Sequence, residues 1–350
     1  MKRTTRSIKK LTTKIINSIA RVFNPAKNST YRSLDLAKTL IQICKNESSA
    51  ERRSKPSPDT ILRRLHQTSE NQFNQILEEL NAELLSKLDL PKRPVIALDY
   101  TTKPYYGEEQ PTLVSDPNLP GTNLGIRFAN LSIVEKGKTY TLKTRQVGPF
   151  TSNERIVKEM LEYTERFVEP RIILLDRGFY SVKVIKLLKS RKQDFIMPAK
   201  RTGPVKRLCK KFKEGEISPM IDYTIKSSDD SARVKLVFIK RKTEKGVEIH
   251  PFISNLELEP REIARLYGWR WRIETNNREL ERFSALTTST SMKIRRLYYS
   301  LAALLYNLWI VVRGGSELSR AHQFKRILNS FLWLISAEIK REPRPPPNLA

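Results

Sequence analysis

Three acids in this chain sit where chemistry could be done. Asp99 closes the short apolar run Val95-Ile96-Ala97-Leu98, and Asp176 closes a second run, Arg171 to Leu175. Unbroken apolar runs of this length read as strands buried on both faces, and an acid at the end stands where the chain leaves the core. The third acid, Glu274, lies in the stretch Glu262 to Phe283, EIARLYGWRWRIETNNRELERF. Wound as one helix at about 100° per residue, that stretch puts Tyr267, Arg270, Trp271, Glu274 and Arg278 on one side. Leu266, Ile273 and Leu280 then form a neighbouring apolar stripe that can lie against a core. Taken alone, the stretch also fits a solvated helix with i,i+4 ion pairs. If the two strands are neighbours in one sheet, both aspartates emerge together and the helix can bring Glu274 opposite them. Three hard oxygen ligands suit Mg²⁺ or Mn²⁺. Two such ions roughly 4 Å apart would activate the attacking oxygen and steady the leaving oxygen of an in-line displacement at phosphorus.

Other chemistries find little support. The histidines, His66, His250 and His322, are scattered, so no Ser-His or Cys-His relay is expected. Cys44 and Cys209 form no CxxC pair, which argues against a zinc site or a disulfide framework and fits a reducing, cytoplasmic, nucleoid-associated setting. Lys and Arg number 65 against 37 Asp and Glu, a net charge of +28. An excess of that size points to a polyanionic partner, most simply double-stranded DNA. The longest apolar run, Leu297 to Val312, is shorter than the ~20 residues that cross a bilayer and is expected to be a buried helix, so no membrane partner is inferred.

The elements that must position the acids follow in order. Residues 1–32 contain no acid, and a basic arm on DNA is the preferred reading over a signal or transit segment. Ser33 is expected to cap a helix carrying Leu36, Leu40, Ile41 and Cys44, and Ser57-Pro58-Asp59 marks a second helix start. That second helix exposes Arg63 and Arg64, and a third spans Glu70 to Leu88; the three helices of 33–90 fit a helix-turn-helix type module as well as any small helical domain, and the basic helical region 1–90 is expected to bind DNA. After the strand ending in Asp99, Gly125 to Val134 and Thr139 to Val147 read as a hairpin turning at Glu135 to Lys138. A helix from Glu154 to Phe167, the strand ending in Asp176, a helix from Ser181 to Leu188 and a strand from Asp194 to Met197 complete a first part of the core, 91–197. Residues 198–258 read as an antiparallel β-rich insert with a basic loop, Lys200 to Lys213. Core helices are expected over 259–313, and a C-terminal helix from Phe324 to Ile339 with a Pro-rich tail over 314–350.

In this order the chain resembles a DDE transposase of the IS4-like insertion-sequence group. The motifs that carry the resemblance are LDYT around Asp99, LLDRGFY around Asp176 and YGWRWRIE around Glu274. The third matches that group's Tyr-x2-Arg-x3-Glu pattern at Tyr267, Arg270 and Glu274, and Trp271 extends it. The resemblance spans about residues 94–312. It implies an α/β, ribonuclease-H-like mixed sheet flanked by helices with a β-rich insert before the last catalytic helix; the all-α N-terminal region is read from its own sequence and contributes little to the resemblance. It also implies cutting of DNA at element ends, attack of the freed 3′-hydroxyl on target DNA, and a homodimer that brings two ends together. Tyr267 and Arg270 would hold terminal phosphates, which suits a guanidinium fork. Where the family pattern has a lysine seven residues after the glutamate, this chain has Glu281, and Arg278 and Arg282 are the nearby cations. A metal-dependent nuclease without strand transfer and a catalytically inactive DNA-binding derivative share the same residues.

Overall fold

The computed structural model describes residues 2–26, 28–135, 138–244, 246–313 and 320–341; for residues 2–7, 138 and 335–341 only the backbone is described. The expected Pro-rich tail and the middle of the 135–138 turn lie outside the described residues. The chain forms two compact units, one of residues 1–89 with 278–350 and one of residues 90–277. The expected stretch of core helices, 259–313, thus falls across the two.

The first unit is helical. It comprises α1 (Lys2–Ala20), α2 (Ser33–Lys45), α3 (Pro58–Gln67) and α4 (Glu70–Leu85), and the chain returns to it late with α10 and α11, whose ranges are given below. Helix α3 starts as its sequence predicts, with Ser57 accepting from the Thr60 amide and Pro58 at the first helical position. At α2 the cap differs: Ser33 donates to the Phe23 carbonyl, and the Asp35 carboxylate accepts from the Arg32 amide instead. The basic N-terminus is a packed helix rather than a free arm, because Ile8, Leu11, Ile15, Ile16 and Ile19 form a full helical stripe and are buried.

The second unit is a nine-stranded mixed sheet with helices on it. In chain order it runs β1 (Val95–Pro104), β2 (Val114–Ser115), β3 (Leu124–Glu135), β4 (Lys138–Val147), α5 (Asn153–Glu165), β5 (Ile172–Leu175), α6 (Val182–Ser190), β6 (Asp194–Pro198), α7 (Gly203–Glu214), β7 (Met220–Lys226), β8 (Ser231–Thr243), β9 (Gly246–Ser254), α8 (Pro260–Tyr267) and α9 (Trp271–Glu281). Helix α9 ends in the first unit, which α10 (Met292–Arg313) and α11 (Ala321–Arg341) complete. The apolar stretch 297–312 is the buried core of α10, where Asn307, the polar interruption, donates to the Asn81 side chain at 2.6 Å. Among the described residues no helix is long and apolar enough to cross a membrane.

The sheet order is β2-β3-β1-β5-β6-β9-β8-β7, with β4 also on β3. Strands β1, β5 and β6 pair in parallel, and their neighbours pair antiparallel. Parallel strands need crossovers, and here α5 and α6 supply covering helices. Alternate residues of the buried runs (Val95, Ala97, Ile172, Leu174, Ile196) pack with Ile263, Leu266 and Ile273 of α8 and α9. Both faces of β1 and β5 are therefore buried, which is why their sequences are unbroken apolar runs rather than alternating ones.

Residues 198–258 hold the expected antiparallel strands, and β9 pairs with β6, so β9, β8 and β7 are continuous with the core sheet. One expectation changes in this unit. The basic stretch Lys200 to Lys213 is mostly helix, not loop. Pro204 sits in the first turn of α7, Val205 and Phe212 are buried seven residues apart on one face, and Gly215 ends the helix at φ 83°.

The stretch 262–283 is not one helix either. A tight 3-10 turn over Gly268–Arg270 separates α8 from α9. Gly268 is a weak helix former and Trp269 is bulky, so the turn is the natural place for the break. Beyond it, α9 is clamped by buried asparagines. Asn276 Nδ2 donates to Ser132 Oγ at 3.2 Å and Thr141 Oγ1 at 2.8 Å, and Asn130 Nδ2 donates to Asn277 Oδ1 at 2.8 Å. Replacing Asn276 by Ala leaves two buried hydroxyls without that donor. The expected cost is about 1–3 kcal/mol of unfolding free energy, read by chemical denaturation; a change within error would show that the clamp carries no stability.

Candidate active site

Strand register alone sets the two aspartates side by side. The last parallel pair of β1 and β5 is Leu98 with Leu175, so Asp99 and Asp176 are the next residues on adjacent strands. Strand β1 continues to Pro104 because β3 still pairs with it, with Asn130 opposite Asp99, while β5 stops. Asp176 Oδ2 faces the Gly178 amide at 3.4 Å, over a short 3-10 turn of residues 177–179. Helix α9 supplies Glu274 in its first turn.

Arg270 stands among these acids. Its Nη1 lies 3.4 Å from Asp99 Oδ1, and its Nη2 lies 2.6 Å from Glu274 Oε1 and 4.0 Å from Asp176 Oδ1. The side chain is only 12% exposed. Burial disfavours the charged guanidinium, but Tyr267 and the three carboxylates outweigh it, so its pKa rises. The opposite balance holds at Asp99. Burial pushes its carboxyl up to about 6, Arg270 opposes this, and Asp176 and Glu274 add to the rise.

Neighbouring groups hold this arrangement. Tyr267 donates from its hydroxyl to the Leu175 carbonyl at 3.4 Å, one residue before Asp176. Its ring packs against Phe252 at 4.8 Å between centroids, and the Arg270 guanidinium lies 5.6 Å from it. Tyr100, after Asp99, stacks on Phe179 at 4.5 Å. Asn153 ties the two acid-bearing segments together, accepting from Tyr100 Oη at 2.9 Å and donating to the Gly178 carbonyl at 2.6 Å.

The structure therefore brings Asp99, Asp176, Glu274, Tyr267 and Arg270 together. Trp271 is beside them in sequence, with 62% of its surface exposed. Arg278, Arg282, Arg63 and Arg64 belong to the first unit. There Arg278 and Arg63 are exposed, Arg282 pairs with Glu279 at 3.3 Å, and Arg64 donates to Gln67 at 3.2 Å. Sequence reasoning missed Asn153, Asn276 and Asn277, whose partners come from distant strands and leave no local pattern. The only sequence signal was a pair of polar residues, Asn276-Asn277, on a helix whose apolar stripe was already assigned.

The donor set suits a hard divalent cation. With all groups ionised, one guanidinium against three carboxylates leaves two negative charges that such an ion would balance. Among the described residues no three acid, His or Cys side chains are gathered closely enough to grip one ion, because the carboxylates surround Arg270. Asp99, Asp176 and Glu274 are the residues that would hold the ion, with the Arg270 guanidinium moved aside.

Residues 146–308 match the family model of the transposase DDE domain. The match covers just under half of the chain. The matched stretch includes Asp176, Arg270 and Glu274 and begins after Asp99. Among solved structures, the chain is similar to the piggyBac transposase in a cryo-EM synaptic complex with hairpin DNA, with a TM-score of 0.63 and 13% identity. That likeness covers 98% of this chain and 83% of the other, and at this identity it is a likeness of fold. The fold is mixed α/β, a mixed sheet with helices and a set of N-terminal helices, and is consistent with a ribonuclease-H-like core. A comparison with curated protein sequences finds no match.

The Asp99 shift predicts a signed pH effect on stability. The ordinary value is 3.8 and the folded value is about 6, so between them the native state holds more proton than the unfolded chain. This contribution to stability is complete below pH 3.8 and is lost as pH rises through about 6. Two pKa units correspond to roughly 3 kcal/mol at most. The stability of Asp99→Asn relative to the unsubstituted protein should therefore rise from acid to neutral pH, measured by denaturant unfolding. A difference that stays flat across this range would show that the Asp99 carboxyl titrates normally.

Proposed function

We propose that this chain is a DNA transposase that cuts phosphodiester bonds at the ends of a mobile element and joins the freed 3′-hydroxyl to target DNA. The observation that carries this reading is the convergence of Asp99, Asp176 and Glu274, from two adjacent parallel strands and a helix, on one guanidinium. The carboxylates would hold Mg²⁺ or Mn²⁺, which supplies activation of the attacking oxygen and stabilisation of the leaving oxygen.

The chain's own groups do the rest. Arg270 offers a planar fork that binds a backbone phosphate bidentately once it lets go of the acids. Tyr267 holds the end of β5 through the Leu175 carbonyl and so fixes where Asp176 stands. Trp271 presents its ring to the DNA, and Arg63, Arg64, Arg278 and Arg282 contribute phosphate contacts from the helical unit. Two copies of the chain act together on the two ends of the element.

The test uses a labelled duplex carrying the gene's own flanking sequence, with Mg²⁺ or Mn²⁺, and compares the unsubstituted protein with Asp176→Ala. Metal-dependent nicking at a defined flank is expected, falling to background in the variant. A second substrate, nicked in advance, is expected to yield joined products. Joining absent despite efficient nicking would make the protein a nuclease, and tight binding without cleavage of true element ends would remove the catalytic reading.

A further inference from the structure

We infer that Phe150 is a stacking platform for an unpaired nucleobase beside the carboxylates. This rests on the polynucleotide reading of the site. Phe150 is 96% exposed, with almost the whole ring in solvent. An aromatic ring so placed gains nothing from packing, yet the turn that carries it is firmly tied. Thr151 donates its amide to the Gly148 carbonyl at 3.2 Å, and Ser152 caps α5 by accepting from the Arg155 amide. The next residue, Asn153, bonds to Tyr100 and to Gly178, which follow Asp99 by one residue and Asp176 by two. The turn is therefore anchored to both acid-bearing segments, and Phe150 lies three residues from that anchor.

The surroundings fit a nucleic acid better than a protein surface. Protein docking sites present contiguous apolar patches, whereas here one ring stands among Gly148, Pro149, Thr151 and Ser152. The cations nearby in the chain and fold are Arg177, which is exposed, Arg155, which is exposed and paired with Glu159 at 2.9 Å, and Arg127, which lies 3.9 Å from Asp116 and 5.8 Å from the Tyr100 ring. No ion pair forms at Arg177 among the described residues, directly after Asp176. Cations that follow a backbone beside an aromatic face that accepts any base are the ingredients of sequence-tolerant strand binding.

The experiment compares the full chain's affinity for a short oligothymidylate with that for an abasic oligomer carrying the same number of phosphates. Phosphate contacts contribute equally to both, so the ratio isolates the base. Stacking on one aromatic corresponds to roughly fivefold or more. The unsubstituted protein and Phe150→Trp should show that preference, and Phe150→Ala should lose it while binding the abasic oligomer unchanged. Since the ring is exposed, Phe150→Ala is expected to unfold at the same denaturant concentration. An undiminished preference in Phe150→Ala, or no preference in the unsubstituted protein, overturns the inference. If neither oligomer binds and flanking duplex is not cleaved, the polynucleotide reading itself falls, and this inference with it. Intact cleavage with an unchanged ratio removes Phe150 alone.

Discussion

One guanidinium serving three carboxylates is the interaction on which the rest of this site depends. Carboxylates this close repel one another, and burial raises the cost of ionising the most enclosed of them, Asp99. Arg270 offsets part of that cost from a position where it is itself nearly buried. A buried pair of this kind is poor evidence for stability, since desolvation can exceed the Coulombic gain. A cluster held at that cost fits the catalytic role proposed for it.

Such a site needs rigid supports, and the fold supplies them from elements that are apolar for their own reasons. Strands β1 and β5 are covered on both faces, so their register cannot slip without moving every side chain to the wrong side. That register, ending at Leu98 and Leu175, is what makes the aspartates neighbours. Helix α9 is held differently. Ile273 packs into the sheet's core cluster, while Asn276 and Asn277 reach polar groups on β3 and β4. Apolar packing sets the depth of the helix, and directional hydrogen bonds set its rotation and slide, on which the aim of Glu274 depends.

These differences explain which parts were legible in the sequence. Buried parallel strands write themselves as apolar runs, so Asp99 and Asp176 were visible as acids at strand ends. The 3.6-residue spacing brought Arg270 and Glu274 to one side, and the i,i+4 contact between them survives the 3-10 turn just before α9. Less was visible where partners are distant. A strand does not announce which neighbour it will join, so the pairing of β9 with β6, which makes the β-rich stretch continuous with the core sheet, was not visible. The basic run at Lys200 concealed a helix because its apolar face is narrow, essentially Val205 and Phe212. Asn153 looked like any residue at a helix start, although its side chain joins the segments that carry both aspartates.

Under the proposed function, the charge balance would link a cation and a phosphate at this site. With Arg270 in place, the acids retain up to two uncompensated negative charges, so a cation is favoured but meets a guanidinium already among its ligands. A phosphate that draws Arg270 outward leaves the acids short of positive charge and strengthens their demand for a cation. A cation that enters first releases Arg270 to find an anion. A divalent cation alone brings the sum of these four groups to zero and would weaken the hold of the acids on Arg270, freeing it for a phosphate. Under the proposed function, any coupling between the two ligands is reciprocal by necessity and would run through that one side chain.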